Sequence, residues 1–290
     1  MTVKTRKKAD GENILYHFIQ KHLLDSDEVS EFQKELIEYF IIDLGIWIPT
    51  NLYRINPLLL PFVLRDSSCR KKDPKTGKHE WGISNEKGYL RDDNSLIKDI
   101  FNTCPIKSPE IKQYNKHFLG KGFVASHIWR EVNNSDKLAS TLPFTNSFIP
   151  NLVWLPKQIS KLTDREGSYA QKLLQSISYN IYREINEDDY TNEIWEYLPN
   201  PKIESRFDIE KLNFFDISDV WIEKRLKKLN NEFDSILNVI DKKEPALKKV
   251  KCSVYLPTLE KNLNEENREQ FKNWIIKSKN RINNVPQHGV

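Results

Sequence analysis

The sequence predicts an α+β protein in which a predominantly helical scaffold carries a small strand, loop, strand and helix insert. Apolar side chains recur at helical spacing near both ends of the chain, over 13–44, 168–183, 217–241 and 257–283. Segment 49–110 is divided by Pro and Gly into short pieces, which is typical of loops with a few short strands. The run G-F-V-A-S-H-I-W at 122–129 has the composition of a buried strand.

Composition limits the class of protein. The 290 residues are 38% hydrophobic, enough to bury a real core. Mean hydropathy is −0.64, and the most apolar runs, at 41–48 and 57–64, are too short to span a bilayer. The basic N-terminus lacks the apolar region of a secretory signal, so we expect a cytoplasmic protein without membrane contact. Three cysteines without a C-x-x-C pair argue against a disulfide framework and a cysteine-built zinc site.

The helical segments have recognisable start and stop signals. A helix over 13–24 is followed by one that we expect Ser26 to cap and Gly45 to end, with Phe32, Leu36 and Tyr39 on its apolar face. Farther along, L-P-K-Q-I-S-K-L-T-D at 155–164 predicts a helix with Pro156 in its first turn. These patterns suggest three regions: 1–118, loop-rich and helical; 119–185, which contains the strand that ends at His127; and 186–290, helical.

Three polar residues follow one another around the predicted strand. His127 ends the apolar run, Asn151 follows a polar loop, and Asp164 lies on the predicted helix. A hairpin packed against a helix can bring the three together. A neutral imidazole can take a proton from an attacking water, and a carboxylate is a suitable ligand for a hard divalent cation.

This order resembles the HNH, or ββα-metal, nucleases over about 45 residues, from Gly120 to Asp164. The resemblance implies that His127 is the general base and that Asn151 organises the local geometry. It also implies one Mg²⁺ or Mn²⁺ per active site, held by Asp164 and by Ser126, which stands where family members usually have Asp or His. We therefore expect an endonuclease that hydrolyses DNA, with a restriction endonuclease as the specific hypothesis. The resemblance makes 119–185 an HNH-like ββα catalytic core, and we expect 1–118 to contact DNA.

Basic and amide side chains suggest where nucleic acid binds. The net charge of +4 permits a nucleic-acid partner without requiring one. Arg91, Asn94 and Lys98 offer donors for phosphates and base edges, and Arg130 follows the catalytic segment. The alternative for this stretch is a turn at Gly88 followed by a short helix capped by Asn94 or Ser95. The expected partner is double-stranded DNA, with a homodimer if both strands of a symmetric site are cut.

Other interpretations stay open at this point. His127 can be a structural histidine that bonds to the backbone, and Asn146 can be the organising asparagine in place of Asn151. The protein can then be a catalytically inactive nucleic-acid-binding protein with a degenerate HNH fold. It can also be a helical protein-interaction module, in which case His127 is replaceable.

Overall fold

A computed structural model of the chain describes residues 14, 17, 19, 21, 30–65, 84–91, 95–163, 165–185, 188–204, 207–242, 252 and 255–284. The helices are α1 (Glu31–Leu44), α2 (Thr50–Ile55), α3 (Ser95–Ile100), α4 (Pro143–Asn146), α5 (Tyr169–Tyr182), α6 (Asp189–Glu196), α7 (Asp219–Ile240), α8 (Leu256–Asn262) and α9 (Glu265–Asn284). The strands are β1 (Ile46–Trp47), β2 (Val63–Leu64), β3 (Leu90–Arg91), β4 (Ile106–Lys107), β5 (Phe123–His127), β6 (Glu131–Val132), β7 (Ser135–Leu138), β8 (Leu152–Pro156) and β9 (Asn213–Phe215). The fold mixes helices with a small sheet, which is compatible with the predicted α+β class.

A mixed five-stranded sheet in the order β4-β9-β1-β8-β5 lies at the centre. Strand β1 pairs parallel with β9, and the other neighbouring strands pair antiparallel. The longest ladder joins β5 to β8, with Phe123 opposite Pro156 and His127 opposite Leu152. This ladder places the end of β5 beside the start of β8. The sheet takes strands from all three regions of the chain that the sequence suggested.

The core forms around the sheet because its central strands are apolar on both faces. Trp47 and Trp154 are fully buried, and Phe101 packs edge-on against Trp154 with ring centroids 5.0 Å apart. Strands buried on both faces read as continuous apolar runs, as in L-V-W-L at 152–155. Helix α5 packs against α1, and α9 packs against α7. A helical scaffold therefore covers the sheet.

Several predicted helices are confirmed, with corrected ends. Helix α5 occupies the predicted 168–183 segment and α7 the predicted 217–241 segment, while the predicted 257–283 helix is divided into α8 and α9. Residues 14, 17, 19 and 21 are helical, and the rest of 13–24 lies outside the described residues.

The predicted start of the second helix was wrong, and its predicted apolar face was right only in part. Ser30, not Ser26, caps α1, because its hydroxyl accepts from the backbone N–H of Gln33 while the Gln33 side chain accepts from the Ser30 backbone N–H. Ile37 and Ile41 are buried and the predicted Leu36 packs against the core beside them, whereas Phe32 is 72% exposed. Tertiary packing rather than periodicity selected the buried stripe.

The predicted helix at 155–164 was also wrong. Pro156 ends strand β8 instead of beginning a helix, and only a short 3₁₀ turn, Ser160–Thr163, follows. Leu152 to Leu155 are buried in the sheet, and pairing on both sides outweighs the helix-start signal of the proline. The short helix after Gly88 is confirmed as α3, and Gly88 has a φ of 87°.

None of the described helices is long and apolar enough to cross a membrane. Cys104 and Cys252 are buried free thiols, and Cys69 lies outside the described residues.

Candidate active site around His127

His127 lies at the last position of β5, where the sheet ends and the chain turns away. Its side chain is 9% exposed, and its Nε2 lies 2.8 Å from the backbone oxygen of Asn146. A carbonyl oxygen can only accept, so Nε2 carries the ring proton and donates it. The neutral ring then presents its lone pair at Nδ1. This is the tautomer that a general base acting through Nδ1 requires.

The surroundings keep this ring neutral at physiological pH. Burial lowers the pKa of His127 to about 4, because removing an imidazolium from water is costly. The bond to the Asn146 carbonyl opposes that effect, and the charge of Arg65 adds to it.

Asn151 connects the backbone after His127 to the turn that contacts the ring. Its Oδ1 accepts from the backbone N–H groups of Ile128, at 3.0 Å, and Trp129, at 2.7 Å. Its Nδ2 donates to the Thr145 carbonyl at 3.0 Å. One fully buried amide thus bridges the two segments that position His127. We call His127, Asn146 and Asn151 the His127 clamp.

Neighbouring elements hold the clamp in place. The Asn146 side chain donates to the Val63 carbonyl at 3.2 Å, and Gln171 on α5 donates to the Ile128 carbonyl at 3.2 Å. The Ser178 hydroxyl donates to the carbonyl of Pro150, directly before Asn151. The two asparagines therefore have different functions. Asn151 organises the backbone with its side chain, whereas Asn146 contacts His127 through its carbonyl.

The backbones of two arginines, Arg65 and Arg130, form hydrogen bonds to the 3₁₀ turn Ala139–Thr141. The backbone N–H of Arg65 donates to Ser140 at 2.8 Å, and the Arg130 carbonyl accepts from Ala139 at 2.7 Å. The Arg65 side chain is exposed, and its charge acts on His127. Arg130 was a predicted site residue. Arg65 was missed, although it begins the basic 65–78 cluster that the sequence displays.

Of the two predicted metal ligands, only Ser126 is among the described residues. Ser126 is buried within β5 and pairs with Val153. Successive side chains of a strand point to opposite faces, which directs Ser126 away from the face of His127. Asp164 lies outside the described residues. Among the described residues, no group of three or more His, Cys, Asp or Glu side chains can hold a metal ion.

The remaining predicted nucleic-acid contacts are only partly described. Lys98 is half-buried on α3, which packs against β5. Asn94 and the side chain of Arg91 lie outside the described residues. The structure thus brings together His127, Asn146 and Asn151, with Arg65 and Arg130 nearby.

Comparisons with protein-family models, with curated proteins and with solved structures found no significant match. Any functional conclusion therefore rests on the geometry of the His127 clamp.

Proposed function

We propose that the protein is a metal-dependent endonuclease that hydrolyses phosphodiester bonds of double-stranded DNA, with His127 as general base. The observation that supports this proposal is the His127 clamp. A histidine ends one of two antiparallel strands, its Nε2 donates to a backbone carbonyl, and Asn151 at the start of the second strand holds the intervening backbone. This arrangement fits the strand, histidine, loop and asparagine order of the HNH resemblance.

In the proposed reaction, Nδ1 of His127 takes a proton from a water molecule whose oxygen forms the new bond to phosphorus. The bond from phosphorus to the leaving oxygen breaks, and that oxygen takes up a proton from solvent. The Asn146 carbonyl keeps the ring oriented and stabilises the imidazolium that forms. An anionic phosphate beside the ring raises the His127 pKa above its value in the free protein.

The exposed guanidinium of Arg65 is the described group best placed to contact a phosphate near the clamp. The backbone of Arg130 bonds to the same turn as the backbone of Arg65. Guanidinium groups bind phosphate oxygens through paired N–H donors, which positions the substrate without reading its sequence.

The proposal includes one Mg²⁺ or Mn²⁺, which would neutralise charge on the phosphate and stabilise the leaving oxygen. The described residues by themselves do not fit such a site. Asp164 is the carboxylate that the proposal assigns to the metal. We expect Asp164→Asn to raise the Mg²⁺ concentration needed for half-maximal cleavage.

A restriction endonuclease acting in the cytoplasm is the specific form of the proposal. Cutting both strands of a symmetric site requires two active sites related by a two-fold axis, so the proposal includes a homodimer. Sedimentation with and without DNA measures that state.

The test compares plasmid cleavage, with Mg²⁺ or Mn²⁺, by the parent chain and by His127→Ala. His117→Ala is the matched control, because His117 also contacts a backbone carbonyl, that of Asn115 at 3.0 Å, but is exposed and away from the clamp. We expect cleavage by the parent and the control and none by a folded His127→Ala variant. Equal cleavage by all three proteins would refute the role of His127.

One observation favours a second candidate, a nucleic-acid-binding protein that does not cut. His127 is only 9% exposed, which limits the approach of a phosphate and a water to its ring. This candidate predicts salt-dependent DNA binding by the parent chain with no cleavage at any Mg²⁺ or Mn²⁺ concentration.

A further inference from the structure

A cleft of about 240 Å³ opens between α4, α6 and α9. Aromatic rings make up most of its lining: Tyr89, Phe144, Tyr190, Tyr197 and Trp274. Pockets that bind small planar ligands combine an apolar, aromatic lining with a few polar groups. The cleft has both.

The rings are held in fixed positions. Tyr190 and Trp274 stack with centroids 5.9 Å apart and planes 15° apart, and Phe144 lies 4.2 Å from Tyr197. The Trp274 indole N–H donates to the Pro61 carbonyl at 2.7 Å, and the Tyr190 hydroxyl bonds to Ser278 at 3.0 Å. Because these polar atoms bond to the protein, the rings are already ordered before a ligand arrives. Such preorganisation reduces the entropy lost on binding.

One acidic and one basic side chain complete the cleft. Glu193 and Lys277 form an exposed ion pair, and the Lys277 ammonium lies 5.7 Å from the centroid of the Tyr190 ring. The carboxylate accepts hydrogen bonds and the ammonium donates them. The edges of nucleobases carry both donors and acceptors, so this pair complements a base edge.

The cleft is connected to the His127 clamp through α4. Phe144 lines the cleft, and Asn146, two residues later on the same short helix, provides the carbonyl that contacts His127. Two helical residues span only about 3 Å along the axis. The cleft and the clamp therefore share one short helix, which links the position of a group held at Phe144 to that of His127.

We propose that this cleft binds a single base of the DNA substrate, turned out of the base stack, and so sets which phosphate lies at His127. The proposal rests on the proposed nuclease function. Aromatic side chains stack on the face of an extruded base, and polar side chains read its edge. Glu193 and Lys277 serve as the groups that distinguish one base from another.

The test uses fluorescence anisotropy with labelled DNA duplexes in EDTA, which prevents metal-dependent cleavage. One duplex is fully paired, and the others each carry a single mismatched base, because a mismatched base leaves the stack more easily. We expect the parent chain to bind mismatched duplexes more tightly. Phe144→Leu and Tyr197→Leu should each weaken that binding about tenfold, because one stacking contact is lost. Phe32→Leu is the matched control, since Phe32 is 72% exposed on α1.

Two further measurements keep the proposal falsifiable if a ring variant is unstable. Glu193→Gln changes an exposed side chain and removes its ion pair with Lys277, and we expect it to change the preference among the four mismatched bases. The dependence of affinity on salt should stay the same in Phe144→Leu and Tyr197→Leu, because neither change alters a charged group.

The outcomes separate the cleft from the nuclease proposal. Equal affinity of the parent for paired and mismatched duplexes, or unchanged affinity in both ring variants, overturns the base-binding cleft and leaves His127-dependent cleavage untouched. Absence of His127-dependent plasmid cleavage with Mg²⁺ or Mn²⁺ overturns the nuclease proposal itself. A cleft that serves a protein partner instead predicts equal affinity for all the duplexes.

Discussion

Replacing Asn151 with Ala removes the side chain that joins the two halves of the His127 clamp. The Trp129 N–H and the Thr145 carbonyl then lose the partner that the amide supplies, while the Ile128 N–H keeps a bond of 3.1 Å to the Asn151 backbone oxygen. Each buried polar group left without a partner costs about 1–3 kcal/mol. We therefore expect the free energy of unfolding to fall by about 4 kcal/mol, a large part of the usual total of about 5–15 kcal/mol.

Urea unfolding followed by tryptophan fluorescence measures this loss as a lower midpoint at unchanged slope. Asn102→Ala is the control, because Asn102 is exposed and bonds only to Asp99, and we expect a change within about 0.5 kcal/mol. Asn151→Asp keeps an acceptor for the backbone N–H groups, but its second carboxylate oxygen faces the Thr145 carbonyl oxygen, which cannot donate a hydrogen bond. The stability of this variant should recover partly in acid, because a protonated carboxyl group can donate to that carbonyl. A loss below about 1 kcal/mol for Asn151→Ala would refute the clamp.

Two other predictions concern stability. The folded protein keeps His127 neutral down to about pH 4, whereas the unfolded chain protonates this residue below about pH 6.5. The free energy of unfolding should therefore fall, by at most about 3 kcal/mol, as the pH decreases from about 6.5 to about 4. His127→Gln should make urea unfolding less dependent on pH over the same range. Gly88→Ala should destabilise more than Gly122→Ala in thermal melts: both glycines have φ near 88°, but a Cβ at Gly88 meets the Phe271 ring at 2.6 Å, whereas one at Gly122 meets nothing within 4 Å. Equal losses for the two glycine variants would contradict the proposed clash.

The candidate site was partly visible in the sequence. The apolar run that ends at His127 predicted a strand with a histidine at its end, and the structure has β5 there. The sequence left open which asparagine organises the site, because Asn146 and Asn151 both follow the loop. The hydrogen bonds distinguish them, since only the Asn151 side chain bridges the backbone of Trp129 and Thr145.

The misplaced helix at 155–164 has a physical explanation. A proline after an apolar run is compatible with the first turn of a helix and with the end of a strand, because its φ suits both. Local sequence cannot choose between the two. Pairing of β8 with β1 and β5 determines that this segment is a strand. Local sequence could not reveal that pairing, because both partners lie outside the segment's own neighbourhood in the chain.

The cleft between α4, α6 and α9 was not predictable from local pattern. Its rings come from distant parts of the chain, with Tyr89, Phe144 and Trp274 among them. Each of them alone resembles an ordinary partly buried aromatic residue.

The sequence by itself determined the α+β class, the positions of the long helices and the strand that ends at His127, because these depend on the periodicity of nearby apolar residues. Only the tertiary structure decided how β8 pairs, which tautomer His127 adopts and which asparagine clamps its backbone. Those features depend on contacts between residues that are far apart in the chain, and local periodicity carries no information about such contacts.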